Sequence, residues 1–361
     1  MAERPVSQAA VYSPRATVRI DGREFVKVSE LIIAMEMKEQ EGGMSALELR
    51  LSNVASDPQG DADFAFENEN EFSLGAGITV YTGDENEPQE IFRGTITGLE
   101  AEFPERNPPE LLVLAEDSLQ LSRMTRRTAI YNDTSIAELS RTIAGRLNIS
   151  PVITGFDDSI GHWVQFNESD LAFLRRILKR YDGDVQIVGN ELQVSPRADV
   201  QRGTLELELQ SQLRSVKFIA DLADQVTEVT TAGWNALNGQ RVNGTSRGAN
   251  LGPGNGRSGA QILAQCMGDR TEHVGHIAVK TNAEAQALAD AVFDHRARRF
   301  VCAEGTAEGN PGLRVGTHVD LRGVSHRFEN TYYVVATHHR FDVHRGYETD
   351  FRAECYMLGD V

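Results

Sequence analysis

The sequence predicts a mainly β chain with α+β insertions, and three observations lead there. Apolar and polar residues alternate with period two over residues 16–125. Two later stretches switch to helical spacing behind capping signatures. Period two then returns over residues 300–361, giving an approximate repetition of a β unit followed by an α-containing insert.

The first strands are carried by Leu31, Ile33, Met35 and Met37, then by Leu47, Leu49 and Leu51 against Glu48 and Arg50. Short apolar segments follow at Ile78–Tyr81, Ile91–Leu99 and Leu111–Leu114, separated by Gly42-Gly43, Pro58, Gly83, Pro104 and Pro108-Pro109. Short strands with such breaks predict a barrel or sandwich, not a parallel sheet with crossover helices. Ser135 with Glu138 then forms a capping box before Ile136, Leu139, Ile143 and Leu147. A second amphipathic helix is expected from Ser169 to Tyr181, with Gly183 as its C-terminal glycine. Val185–Val188, Gly189-Asn190 and Leu192–Val194 read as a hairpin.

Strand alternation resumes at Leu205, Leu207 and Leu209 and runs towards Val229. Asn235 to Gly259 is rich in Gly and Asn with almost no apolar anchors, the composition of a flexible loop. A short helix is expected at Ile262–Met267. Thr281 and Glu284 form a further capping box ahead of Ala285, Leu288, Ala289, Val292 and Phe293. The closing strands are read from Val315, Val319 and Leu321, from Tyr332–Thr337, and from Tyr347, Thr349, Phe351 and Ala353.

At 361 residues and 40% hydrophobic content, the chain can bury one large core and is expected to bury two. No stretch approaches the roughly 18 apolar residues of a membrane-spanning helix. Met1 to Pro14 lacks the basic start and apolar centre of a secretory signal, so assembly in the cytoplasm is expected. Cys266, Cys302 and Cys355 are odd in number and far apart, the pattern of free thiols and not of a disulfide framework or zinc site. The net charge of −17 gives no footprint for gripping a phosphate backbone. Arg123, Arg126 and Arg127, and Arg296, Arg298 and Arg299, lie beside acidic neighbours and read as ion pairs or solvated faces.

Chemistry is hard to place. His338 and His339 are adjacent on a strand and point to opposite faces, and His344 falls beyond an expected turn, so no shared metal is expected. Asp157-Asp158 and Asp182/Asp184 are carboxylate pairs of the kind glycoside hydrolysis uses. With 53 acidic residues such pairs also arise without purpose. Gly252-Pro253-Gly254-Asn255-Gly256 lacks the Lys-Ser/Thr of a phosphate loop. No catalytic, cofactor-binding or metal-binding residue is assigned, and no cofactor is expected.

The segment Phe166 to Leu178, with Glu168-Ser169-Asp170 leading into Phe173-Leu174-Arg175, resembles a recurring helix of the phage late control D and VgrG families. Tyr131 to Ile136, Gly309 to Gly316, Val319 to Gly323, Tyr332 to His339 and Gly346 to Phe351 follow in the order and spacing of that family. The resemblance runs from about Val18 to Glu354. It implies two similar antiparallel β-barrel domains per chain, forming a pseudo-six-fold ring as a homotrimer. It also implies a baseplate hub joining a hexameric tail tube to a trimeric spike, beside other baseplate proteins. VgrG proteins continue into an oligonucleotide-fold domain and a needle, whereas this sequence ends at Val361, so a separate spike is expected. The implied division is a tail over 1–15, a first barrel over 16–125 and a helix–hairpin insert over 126–200. The second barrel takes 201–234 plus 300–361, and a flexible loop with a helical insert takes 235–299. The expected home is a virion tail or injection-system baseplate, with no stable nucleic-acid binding and no membrane insertion. The rival readings are a tail-carried cell-wall hydrolase and a carbohydrate- or peptidoglycan-binding module centred on Ser135 to Val194.

Overall fold

The computed structural model describes residues 12–56, 62–67, 71–84 and 88–359. Residues 1–11 of the expected N-terminal tail lie outside the described residues, and the rest of that tail is already strand. The chain is mainly β, with several sheets. Its largest sheet has 13 strands.

The first unit of that sheet comprises β1 (Tyr12–Ile20), β2 (Ile32–Gln40), β3 (Ala46–Ser52), β4 (Gly77–Asp84), β5 (Pro88–Glu102) and β6 (Glu110–Glu116). These lie in the order β1-β4-β5-β6-β3-β2. Period two buries Met35, Met37, Leu47, Leu49, Leu51 and Val113 in one core, as alternation on a pleated strand requires. A bulge between Ile32 and Ala34 shifts the phase of β2. Ile32, not the expected Ile33, therefore faces the core.

An insert follows: α1 (Leu119–Met124), β7 (Arg126–Tyr131), α2 (Ile136–Leu147), β8 (Ser150–Ile153), β9 (Trp163–Ser169), α3 (Asp170–Leu178), β10 (Gly183–Val188) and β11 (Glu191–Pro196). Ser135 and Glu138 close the capping box on α2. Ile143, Leu174, Ile177, Val185 and Leu192 share the insert's own core. α3 is shorter than expected, and Asp182, not Gly183, takes the left-handed backbone with φ 50. Gly183 is needed for space instead, because a Cβ there would stand 2.4 Å from Leu178 Cδ2.

The chain then returns to the large sheet through β12 (Thr204–Glu208) and β13 (Leu213–Ala220), and leaves it again for a second insert. That insert holds β14 (Glu228–Asn235), β15 (Gln240–Ser246), α4 (Gly259–Met267), β16 (Thr271–Val274) and α5 (Asn282–Arg298). Two expectations change here. β14 pairs with β15 and β16, so the alternation towards Val229 belongs to this insert's own sheet. The expected flexible loop 235–259 contains a full strand, β15. Backbone pairing and side-chain anchors supply the order that composition denied: Val242 is buried, and the Asp294 carboxylate accepts the N–H groups of Ala249 and Asn250 at 3.0 and 2.7 Å.

The remaining strands are β17 (Val301–Glu308), β18 (His318–Arg322), β19 (Asn330–Asp342) and β20 (Gly346–Cys355). With β12 and β13 they take the order β12-β18-β19-β20-β17-β13. This is the strand order of the first unit repeated, except that β12 runs parallel to β18 whereas β1 runs antiparallel to β4. No closed barrel is found among the described residues, because the two units share one open sheet. β19 outlasts β18, which pairs only with residues 330–333, and β2 takes the vacant edge from Ala336 to Asp342.

Candidate interaction site

A buried polar cluster lies where both β units meet the first insert. Glu39 stands in phase with Met35 and Met37 on β2, so the pleat drives its carboxylate inward, to 2% side-chain exposure. An ionised carboxylate survives burial only when paired and hydrogen-bonded. Arg314 supplies the pair: its Nε and Nη2 both donate to Glu39 at 2.9 Å. The Val315 N–H at 3.1 Å, the Thr337 hydroxyl at 3.3 Å and Gln186 Nε2 complete the shell. Burial alone would raise the Glu39 carboxyl, but the Arg314 charge and these donors hold it at about 2.

His339 sits beside this pair, fully buried. Burial first, then the Arg314 charge, push its imidazole down to about 3, so it stays neutral. Its Nδ1 lies 2.8 Å from the Tyr347 hydroxyl and 3.2 Å from Thr349 Oγ1. Two further arginines extend the cluster. Arg202 bonds Asp184 at 3.2 Å and the Val315 carbonyl at 3.1 Å. Arg197 pairs with Glu41, lies 3.7 Å from Glu354 and stacks 4.0 Å from the Tyr333 ring centre. The cluster locks the orientation of three units, and its ions are spent on one another.

Two cavities flank it. A cleft of about 580 Å³ between the inserts is bordered by Arg175, Lys179, Asp182, His276, His295 and Arg298. The inserts are tied across it by Arg298 to Asp182 at 2.7 Å and Arg180 to Glu284 at 2.7 Å. A smaller cavity of about 260 Å³ lies beside Asp117 and Arg314. Burial raises the Asp117 carboxyl to about 6, against the N–H groups of Ser45 and Leu119 at 2.6 and 2.9 Å.

The groups singled out from sequence are dispersed. His338 faces outward, with Nε2 3.1 Å from Glu36, while His339 faces inward. His344 lies within the turn after β19, not beyond it. Asp157 and Asp158 are exposed; Asp182 and Asp184 serve Arg298 and Arg202. Asn255, in the Gly252–Gly256 segment, is anchored by the Asn330 side chain at 2.9 Å. Arg123, Arg127 and Arg296 pair with Glu116, Asp170 and Asp224. All three cysteines are free. Among the described residues no cluster of His, Cys, Asp and Glu is arranged to hold a metal ion, and no helix is long and apolar enough to cross a membrane. Sequence reasoning missed Glu39, Arg314, Arg197 and Arg202. The signal for Glu39 was present, an acidic residue on the buried phase of a strand.

The fold recurs in known proteins. The 43 kDa tail protein of prophage MuSo2 from Shewanella oneidensis superimposes with a TM-score of 0.69 at 12% identity, over 94% of this chain and 97% of that one. The tail protein from Neisseria meningitidis MC58 gives 0.68 at 11% identity, over 95% and 96%. The E. coli c3393 protein, described as a type VI secretion component similar to the T4 tail proteins gp27 and gp5, gives 0.58 at 12% identity, over 94% and 76%. No curated protein matches the sequence. A family model described as the Alg8 N-terminal domain matches residues 14–342, and the chain belongs to that family.

Proposed function

We propose that this member of the Alg8 N-terminal domain family is a structural baseplate hub of a contractile phage tail or phage-like injection system. In this reading it is a homotrimer joining a hexameric tail tube to a trimeric spike, beside other baseplate proteins, and its role is mechanical, not catalytic. One observation carries the reading: a single chain holds the same six-strand order twice within one sheet. Three copies around an axis then present six similar β units to a six-fold tube and keep three-fold symmetry for a spike. We further propose that each unit curls into a barrel-like wall in the assembled ring, with the two inserts directed at neighbouring components. The shared fold with phage tail proteins and the late control D and VgrG resemblance support this assignment. The same reading puts assembly in the cytoplasm and the finished hub in a virion tail or injection particle.

The test is the native mass of the purified chain, alone and with its candidate spike. A species of three 39.8 kDa chains is expected, alone or once the spike is added. A persistent monomer in both conditions would overturn the proposal and move wall binding to the front.

A further inference from the structure

The two β units correspond residue by residue as well as in strand order. β5 skips a residue against β6 between Ile96 and Gly98, and β19 skips one against β20 between Val334 and Ala336. β2 is irregular against β3 between Ile32 and Ala34, and β13 against β17 between Leu213 and Ser215. The entries into β4 and β18 match too. Gly75 and Gly316 have φ of +89 and +85, and their N–H groups donate to the carbonyls of Ile96 and Val334, both at 2.9 Å. These landmarks align Ile96 with Val334 and Ile32 with Leu213.

Within the chain the units join where β2 pairs with β19, Arg340 opposite Glu36 and Phe341 opposite Met35. The counterpart strands lack that partner. β5 outlasts β4 just as β19 outlasts β18, so among the described residues one edge of 97–102 is open, and β13 ends the path of the sheet. Side chains there are correspondingly exposed: Leu99 40%, Phe103 64% and Ile219 46%, against 4% and 3% for Thr337 and Phe341, the counterparts of Leu99 and Phe103. Open edges of this kind are templates for pairing with another chain.

We infer that β13 of one copy pairs antiparallel with β5 of the next copy over residues 99–103, repeating between chains the β2–β19 junction made within each. The inference rests on the hub reading for the closure of the ring. Carrying the register across puts Lys217 opposite Glu102, in the place of Glu36 opposite Arg340. Both signs are exchanged and the pair stays attractive. Ala101 falls opposite Phe218, and Phe103 opposite Val216, which covers apolar surface that the single chain leaves in solvent. The contact is head-to-tail, the kind that closes into a ring when the rotation allows.

The test uses the full chain carrying Cys266→Ser, which removes the exposed thiol, with Glu102→Cys and Lys217→Cys. Within one chain these positions are seven strand spacings apart in the order of the sheet, so neither strand is the other's neighbour. Directly opposed residues of paired strands hold their Cβ atoms about 5 Å apart, within reach of a short thiol cross-linker. The double variant should yield covalent dimers and trimers. An equal mixture of the two single variants should yield dimers only, and each single variant alone should yield none. Dimers from Glu102→Cys alone would mean a two-fold contact and overturn the inference. Trimers seen by native mass but never cross-linked would overturn it while leaving the hub reading intact. A chain that stays monomeric with and without the spike would remove both.

Discussion

Replacing Arg314 by methionine would leave the Glu39 carboxylate buried without its ionic partner. Breaking a buried pair by removing one member destabilises by about 3–5 kcal/mol, because an uncompensated charge remains. Val315 N–H, the Thr337 hydroxyl and Gln186 still donate to Glu39, so about 3 kcal/mol is expected. The pH dependence identifies the cause. In the native protein the Glu39 pKa is lowered to about 2 from 4.5, so its contribution is present above 4.5 and lost as pH falls towards 2. Without the Arg314 charge, burial dominates and the folded pKa rises above 4.5. Glu39 then favours folding only at low pH, and that contribution is lost as pH rises through the new value. The difference in stability between the two proteins should therefore be small near pH 2 and full by pH 8, and the other carboxylates cancel in that difference. Urea unfolding at both pH values measures it, and hydrogen exchange in β2 and β19 locates it. The double replacement Glu39→Met with Arg314→Met should recover most of the loss. An equal loss at both pH values, or one below about 1 kcal/mol, would refute this account of the junction.

Two further outcomes follow from packing. A Cβ on Gly244 would stand 2.3 Å from the Ala285 carbonyl oxygen, so Gly244→Ala should push β15 from α5 and destabilise by about 1–3 kcal/mol; an unchanged melting temperature would show that the contact is loose. Cys266 is exposed, Cys302 is half-buried, and burial pushes the Cys355 thiol up to about 12, so a thiol reagent at pH 8 should label them in that order, with Cys355 reacting only on unfolding. Labelling of Cys355 at the rate of Cys266 would contradict its burial.

Elements whose side chains carry their own periodicity were legible in the sequence. The alternation through Leu47, Leu49 and Leu51, the capping box at Ser135 and the Gly189-Asn190 hairpin all lie where period and turn chemistry put them. What was illegible depends on partners distant in sequence. β15 has one buried apolar side chain, Val242, and owes its order to β14, to α5 packed over Gly244 and to the anchors of the loop that follows. Composition cannot register such support. The junction was hidden for the same reason: Glu39 shows its buried phase locally, but Arg314 is 275 residues away. The half-formed box at Thr281 makes the point on a smaller scale. Thr281 accepts the Glu284 N–H at 3.1 Å, but the Glu284 carboxylate turns to the Lys280 N–H at 2.8 Å and to Arg180 of the other insert.

Surface charge contributes little to the joining of the two β units. Across the outer face of the shared sheet, Glu36 meets Lys38 at 2.9 Å, Arg50 meets Glu110 at 2.7 Å and Arg340 meets Asp350 at 2.8 Å. Such partly exposed pairs contribute about 0–1 kcal/mol each and weaken with salt. They do not account for the joining of the two β units. That falls to backbone pairing between β2 and β19, which salt does not screen, and to one buried carboxylate at the end of the same strand. Glu39 thus closes the junction that the strands open: β2 supplies the edge, and its next-to-last residue reaches Arg314 of the second unit and Gln186 of the first insert. A chain bearing a net charge of −17 repels itself over distance, and continuity through hydrogen bonds and a desolvated pair is the form of connection which that repulsion disturbs least.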